Sequence, residues 1–106
     1  MSSTLFTPYK LGPVTLRNRT IRSAAFESMG KDFGPTRQLK DYHVAVARGG
    51  VGMTTLAYAA VCRSGLSFNK QLWLRPEIVP GLREITDAVH REGAAAAIQI
   101  GHCGNM

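Results

Sequence analysis

A single amide side chain interrupts the last apolar segment of the sequence. Residues 94–100 read Ala-Ala-Ala-Ala-Ile-Gln-Ile, which places Gln99 among nonpolar residues between Gly93 and Gly101. Burying an unpaired amide costs about 1–3 kcal/mol, so Gln99 needs a hydrogen-bonding partner if this segment is buried. An amide offers both a donor and an acceptor, which suits a ligand that carries the two side by side. A neighbouring main-chain segment would satisfy the amide equally well, and the residues alone leave both interpretations open.

The other chemistry-bearing residues do not form a recognised catalytic or metal-binding pattern. Cys103 could act as a catalytic thiolate, but no neighbour in the sequence marks it as activated, which favours an ordinary packed thiol. The histidines and cysteines lack zinc-finger spacing, and adjacent His102 and Cys103 are a weak signal, so we expect no metal site. Residues 49–52 read Gly-Gly-Val-Gly but run from a predicted helix into a predicted strand, the reverse of a phosphate-binding loop. The sequence therefore assigns no catalytic residue.

The elements that must position these residues alternate between strands and helices. Residues 37–48 show helical periodicity after Thr36, whose hydroxyl can accept a hydrogen bond from the first turn. In chain order we predict a hairpin within residues 5–16, a strand over 20–26, a helix over 37–48, a strand over 51–61, a helix from Pro76–Pro80 to Gly93, and a strand over 94–100.

This order predicts an α/β fold with a parallel sheet and right-handed crossovers. Ligands of such folds bind beyond the carboxyl ends of the strands. Those ends correspond to residues 24–28, 58–61 and 99–102, and the first two are rich in small side chains. A flat ligand could therefore lie close to the backbone there.

Length and charge restrict the kinds of partner. The chain has 106 residues, room for one domain at most, and 13 Lys and Arg against 7 Asp and Glu give a net charge of +6. Arg17 and Arg19 would share one face of an extended segment near Arg22, but no nucleic-acid-binding signature accompanies them, so we expect no nucleic-acid partner. No apolar run approaches the roughly 20 residues that span a bilayer, and the first residues lack the features of a secretion signal. We expect a soluble, cytoplasmic protein without a membrane partner.

Seven short motifs follow one another along the whole chain. They are Leu5-Phe-Thr-Pro8, Leu16-Arg-Asn-Arg19, Gly34-Pro-Thr36, Ala47-Arg-Gly-Gly50, Val61 with Gly65 and Trp73, Asp87-Ala-Val-His90 with Gly93, and Gln99-Ile-Gly-His102-Cys-Gly104. In this order they resemble the amino-terminal portion of the NADH:flavin oxidoreductases, the old yellow enzyme family. The resemblance implies a TIM-type (β/α)8 barrel with FMN at its carboxyl face. Residues 1–106 would be its N-terminal fragment, the hairpin and first three strands with two helices, because such barrels need roughly 200 or more residues.

The resemblance also implies a cofactor-binding set, made up of Ser23, Ala24, Ala25, Phe26, Tyr58 and Gln99. The first four match the strand that touches the flavin ring, and Tyr58 matches a position whose main chain lies near it. Gln99 matches the amide that hydrogen-bonds the pyrimidine edge of the flavin. Gly101 falls where several members carry a bulky aromatic residue, which implies a more open pocket.

The function implied is hydride transfer from NAD(P)H through FMN to an activated alkene or a similar small molecule. The family's substrate-binding and phosphate-binding residues come from later strands, so we expect the isolated 106-residue chain to be inactive. Two alternatives stay open: a non-catalytic truncated remnant, and a half-barrel binding module that forms a homo-oligomer through its open sheet edge.

Overall fold

The described part of the chain contains two small sheets and two α-helices. A computed structural model describes residues 4–67 and 69–104. The strands are β1 (Tyr9–Leu11), β2 (Val14–Leu16), β3 (Ile21–Arg22), β4 (Met53–Ala60), β5 (Leu72–Trp73) and β6 (Ala95–Gly101), and the helices are α1 (Arg37–Arg48) and α2 (Val79–Arg91). The predicted alternation of strands and helices is confirmed, with β5 as an addition. Neither of these helices is long and apolar enough to cross a bilayer.

Strand β4 lies at the centre of a four-stranded parallel sheet. Strand β6 pairs along one edge of β4, and β3 pairs with the start of the other edge, where Ile21 lies opposite Met53. Ala59 pairs with Leu72 of β5 as well as with β6, so β5 occupies the edge of β4 that β3 leaves free. Strands β1 and β2 form a separate antiparallel hairpin, as predicted. The parallel arrangement brings the carboxyl ends of β4 and β6 to one edge of the sheet.

The first parallel strand is shorter than predicted. It was expected over residues 20–26, but only Ile21–Arg22 pair with β4. Further along β4, side chains replace the missing strand. The Arg22 side chain donates to the Thr55 carbonyl at 2.7 Å, and the Ala57 amide donates to the Glu27 carboxylate at 3.2 and 3.3 Å. Side chains therefore satisfy the backbone groups of β4 that a longer strand would have paired.

Local signals set the limits of both helices. The Thr36 hydroxyl accepts from the Leu39 amide at 3.1 Å, which confirms the predicted N-cap, and Gly50 follows α1 with φ +107°. A short 3-10 turn, Pro76–Ile78, leads into α2, and Gly93 follows that helix with φ +89°. Both helices pack on one face of the sheet, around a core of Leu39, Ala47, Leu56, Ala59, Leu72, Ile85, Val89 and Ala94.

The arginines near β3 hold the fold together. Arg17 donates to the carbonyls of Ala47 at 2.5 Å, Glu92 at 2.7 Å and Val51 at 3.1 Å. It thereby joins the carboxyl ends of both helices, where a positive charge is favoured by the helix dipole. Arg19 lies over the Tyr9 ring, 4.9 Å from its centre. The basic segment thus has an internal structural role.

Replacing Arg17 with alanine should lower the free energy of unfolding by about 2 kcal/mol, because three hydrogen bonds from a charged donor are lost. Urea denaturation followed by circular dichroism measures this loss. Arg37→Ala is the matched control, since the Arg37 side chain is 90% exposed and its ion pair with Asp41 spans 3.8 Å. It should cost no more than about 0.5 kcal/mol. Equal losses in the two variants would contradict the role assigned to Arg17.

Candidate functional site

Aromatic and polar side chains meet where β4 and β6 end. The Tyr58 hydroxyl lies 2.5 Å from the Ser67 hydroxyl and 3.5 Å from the Cys103 sulfur. The rings of Phe26 and Tyr58 contact each other edge to face, with their centres 5.4 Å apart. The structure thus brings Phe26 and Tyr58 together, two residues that the sequence assigned to one site from positions far apart in the chain.

The other predicted site residues lie on accessible parts of the same region. Ser23 and Ala25 are exposed, and Ala24 is partly buried, in the irregular segment that follows β3. Gln99 is also exposed, which corrects the expectation of a buried amide. Ile98, its neighbour, packs against the core, so the alternation along β6 turns Gln99 to the face opposite the helices. Among residues 4–67 and 69–104 the Gln99 amide has no hydrogen-bonding partner, so it is available to a ligand.

The segment after β4 docks onto the end of β6. The Cys103 amide donates to the Gly65 carbonyl at 3.1 Å, and the Ser64 hydroxyl lies 3.3 Å from Nε2 of His102. A Cβ built on Gly65 would lie 2.7 Å from the His102 ring, so a larger residue there would require this ring to shift. These contacts hold His102 and Cys103 beside Tyr58.

Neighbouring hydroxyl groups surround the Cys103 thiol and affect its pKa. Hydrogen bonds from Ser67, and to a lesser extent from Tyr58, lower the pKa of Cys103 below its ordinary value. The same contact with Cys103 is the main cause of a raised pKa at Tyr58. The assignment of no catalytic residue stays a prediction, because a lowered pKa does not by itself give the thiol a catalytic role. The hydroxyl groups that lower this pKa come from β4 and the following loop, so no sequence neighbour could reveal them.

The rate of Cys103 alkylation should rise with pH, and the midpoint of this rise should lie at a lower pH than for an ordinary cysteine. The thiolate is the reactive form, and a lowered pKa increases the thiolate fraction at a given pH. Ser67→Ala should move this profile to higher pH, and Tyr58→Phe should move it less. Iodoacetamide labelling read by mass spectrometry measures the profile, with Cys62→Ser as the common background. Identical profiles in all three proteins would contradict the assigned cause.

Sequence reasoning missed a buried polar cluster behind this edge. The Glu27 side chain is 1% exposed and lies 3.0 Å from Nη1 of Arg22 and 2.9 Å from Nε2 of His43. His43 is fully buried, and its Nδ1 lies 2.7 Å from the Thr54 hydroxyl. Helical spacing could have found the histidine, because Leu39, His43 and Ala47 share the buried face of α1. No comparable signal marked Glu27.

Comparison with known proteins decides the family. A family model for the NADH:flavin oxidoreductase / NADH oxidase family matches residues 4–106. The chain belongs to this family. The resemblance inferred from the seven motifs is therefore confirmed.

Individual members of the NADH:flavin oxidoreductase family resemble the chain along most of its length. A 4,4'-dithiodibutanoate disulfide reductase of Rhodococcus erythropolis is 48% identical over 100 residues, which cover 94% of this chain and 25% of that protein. An NADPH dehydrogenase of Listeria welshimeri is 38% identical, covering 96% of this chain and 31% of that protein. The structure of an old yellow enzyme homologue from Zymomonas mobilis superimposes with a TM-score of 0.84 at 24% identity, covering 94% and 28% of the two chains. The chain thus has the fold of the matching part of these proteins and spans about a quarter to a third of their length.

The flavin nucleotide implied by this family fits the residues present. The Gln99 amide, which no other described residue pairs, offers a donor and an acceptor, as the polar edge of a flavin ring requires. A Cβ built on Gly101 would meet no atom within 4 Å, so the end of β6 is open beside Gln99. The six assigned residues stay a prediction, and the open strand end and the free amide support it.

Proposed function

We propose that the protein is an FMN-dependent oxidoreductase that passes hydride from NAD(P)H to an activated alkene or a similar small acceptor. The observation that carries this proposal is the exposed Gln99 amide at the carboxyl end of β6, which has no partner within the described residues, in a chain of this family. Relatives described as an NADPH dehydrogenase and a disulfide reductase support a nicotinamide donor and a small-molecule acceptor.

Bound FMN would supply the hydride chemistry, accepting from the nicotinamide and passing on to the acceptor. The chain's own residues would bind the flavin and orient its ring. Gln99 would donate to and accept from the pyrimidine edge, which sets the position of the ring. Phe26 and Tyr58 would form an apolar contact beside the ring, with Ser23, Ala24 and Ala25 passing close to it. Phe26 has no side-chain donor, so this position would leave the electronic properties of the ring to other contacts.

We also propose that β3, β4 and β6 are the first three strands of a (β/α)8 barrel. Both helices pack on one face of the sheet, as the outer helices of such a barrel do. Within the described residues β6 pairs only with β4, so its other edge is available to a fourth strand. Pairing of two chains along the same edge would instead give a homo-oligomer, and sedimentation of the protein distinguishes a monomer from this alternative.

Comparing the unchanged protein with a Gln99→Leu variant tests both the proposed function and the role of Gln99 in FMN binding. The full-length protein, by which we mean this chain together with the remaining strands of the proposed barrel, should bind FMN and oxidise NAD(P)H when an activated alkene such as 2-cyclohexenone is supplied. The variant should bind FMN at least about tenfold more weakly, equivalent to about 1.4 kcal/mol, because hydrogen bonds to the ring edge are lost. Titration of the apoprotein with FMN, followed by flavin fluorescence, measures the affinity.

Gln38→Leu is the matched control, because Gln38 is exposed on α1. This variant should bind FMN with the affinity of the unchanged protein. Absence of flavin binding and NAD(P)H oxidation in the unchanged protein would overturn the proposed function. Equal affinities in Gln99→Leu and Gln38→Leu would overturn only the role of Gln99.

A further inference from the structure

The Glu27 carboxylate is buried and held by donors from three elements. It accepts from Arg22 of β3, from His43 of α1 and from the Ala57 amide of β4. An ionised carboxylate only accepts hydrogen bonds, so with Glu27 ionised the His43 Nε2 atom is the donor in this pair. Burying a carboxylate costs several kcal/mol unless it is well paired, and here the partners supply that pairing.

The position of Glu27 links the two aromatic residues of the candidate site. Glu27 directly follows Phe26 in the chain, and its carboxylate bonds the amide of Ala57, which directly precedes Tyr58. The Phe26 and Tyr58 rings are in contact with each other. One buried carboxylate therefore fixes the backbone next to both rings. We call Ser23–Phe26 together with Tyr58 the aromatic platform.

Side-chain contacts also set the path of the rest of the platform. Residues 23–26 form no strand, so they lack the ladder of hydrogen bonds that would hold a sheet segment in place. Instead the Arg22 guanidinium donates to the Ala25 carbonyl at 3.3 Å, and also to the Tyr42 hydroxyl at 3.1 Å. The Glu27–Arg22 pair thus holds both the middle and the end of this segment.

We propose that Glu27 is a positioning residue for flavin binding, acting through the aromatic platform and not by contact with the ring. This inference rests on the proposed function, because it assigns the platform to FMN. It makes two separable claims: Glu27 sets the local order of residues 23–26 and 57–58, and that order sets the environment of the bound flavin.

Hydrogen exchange with mass spectrometry on the full-length protein without FMN tests the first claim. Glu27→Ala should speed exchange at least about tenfold in peptides covering 23–30 and 57–60, relative to the peptide covering α2. Glu27→Gln should have a smaller effect, because its amide oxygen can still accept from Ala57. Glu92→Ala is the matched control, since it removes a glutamate paired with Arg48 at 2.8 Å, away from the platform. It should leave exchange at residues 23–26 unchanged.

FMN titration and the visible spectrum of the bound flavin test the second claim. Glu27→Ala should weaken FMN binding about tenfold and shift the flavin absorption bands, whereas Glu92→Ala should change neither. If Glu27→Ala does not fold, Glu27→Gln carries both comparisons, with smaller effects in the same direction. A uniform increase in exchange over the whole chain, or unchanged affinity and spectrum, would show that Glu27 is merely structural. Failure of the unchanged protein to bind FMN would overturn the proposed function instead, whatever the exchange pattern.

Discussion

Replacing His43 with alanine should lower the free energy of unfolding by about 3–5 kcal/mol. His43 is fully buried, and its two ring nitrogens lie 2.9 Å from the Glu27 carboxylate and 2.7 Å from the Thr54 hydroxyl. With alanine at this position, the Glu27 carboxylate and the Thr54 hydroxyl would stay buried, and each would lose one hydrogen-bonding partner. The substitution would also leave a cavity on the inner face of α1. Urea denaturation followed by circular dichroism measures the loss.

His90→Ala is the matched control for this prediction. His90 is exposed in the last turn of α2, so its removal should cost about 0.5 kcal/mol or less. Similar losses in the two variants would show that the buried cluster contributes little to stability. A large loss confined to His43→Ala would confirm that the cluster joins α1 to the sheet.

Replacing Gly52 with alanine should lower the free energy of unfolding by about 2–3 kcal/mol. A Cβ at this position would lie 2.5 Å from the Asn18 carbonyl oxygen and 2.8 Å from the Thr20 carbonyl oxygen. Both are backbone atoms, so they cannot move without displacing the turn before β3. The Gly52 amide also donates to the Thr20 carbonyl at 3.0 Å, and this bond would be disturbed. Thermal unfolding followed by circular dichroism measures the effect.

Gly101→Ala is the matched control, because it replaces a glycine by alanine without a steric clash. The added methyl group at Gly101 would meet no atom within 4 Å, so the midpoint of unfolding should stay within about 1 °C of the unchanged protein. Gly52→Ala should lower that midpoint by at least about 5 °C. If the two variants unfold at the same temperature, the close approach of the 18–20 turn to β4 is not a constraint on the fold.

The helices were predictable because their signals are local. The Thr36 cap, the apolar spacing within α1 and the glycines after each helix lie within a few residues of what they control. The hairpin around Gly12 follows from the same kind of local signal. The sequence also predicted an α/β fold, because each strand and helix had its own periodicity or turn residues.

The short strands and the polar contacts were not predictable in this way. Strand β5 has only two residues, too few to show a period. Its place beside β4 is held by the Leu74 amide, which donates to the Ala60 carbonyl at 2.9 Å. The early end of β3 depends on two kinds of contact with a strand about thirty positions later in the chain: Arg22 donates to the Thr55 carbonyl, and Glu27 accepts from the Ala57 amide. Such partners have no fixed spacing, so a pattern search along the sequence cannot pair them.

The residues by themselves determined the order of the elements and the family, because helix caps, periodicity and short motifs each involve residues that are close together in the sequence. Only the tertiary structure decided that Gln99 is exposed, that Cys103 lies beside Tyr58, and that Glu27 is buried against His43. The physical reason is that burial and hydrogen bonding depend on which segments the parallel sheet brings together. The chemistry of the candidate site was therefore visible in the residue types, but its supporting contacts were set by the fold.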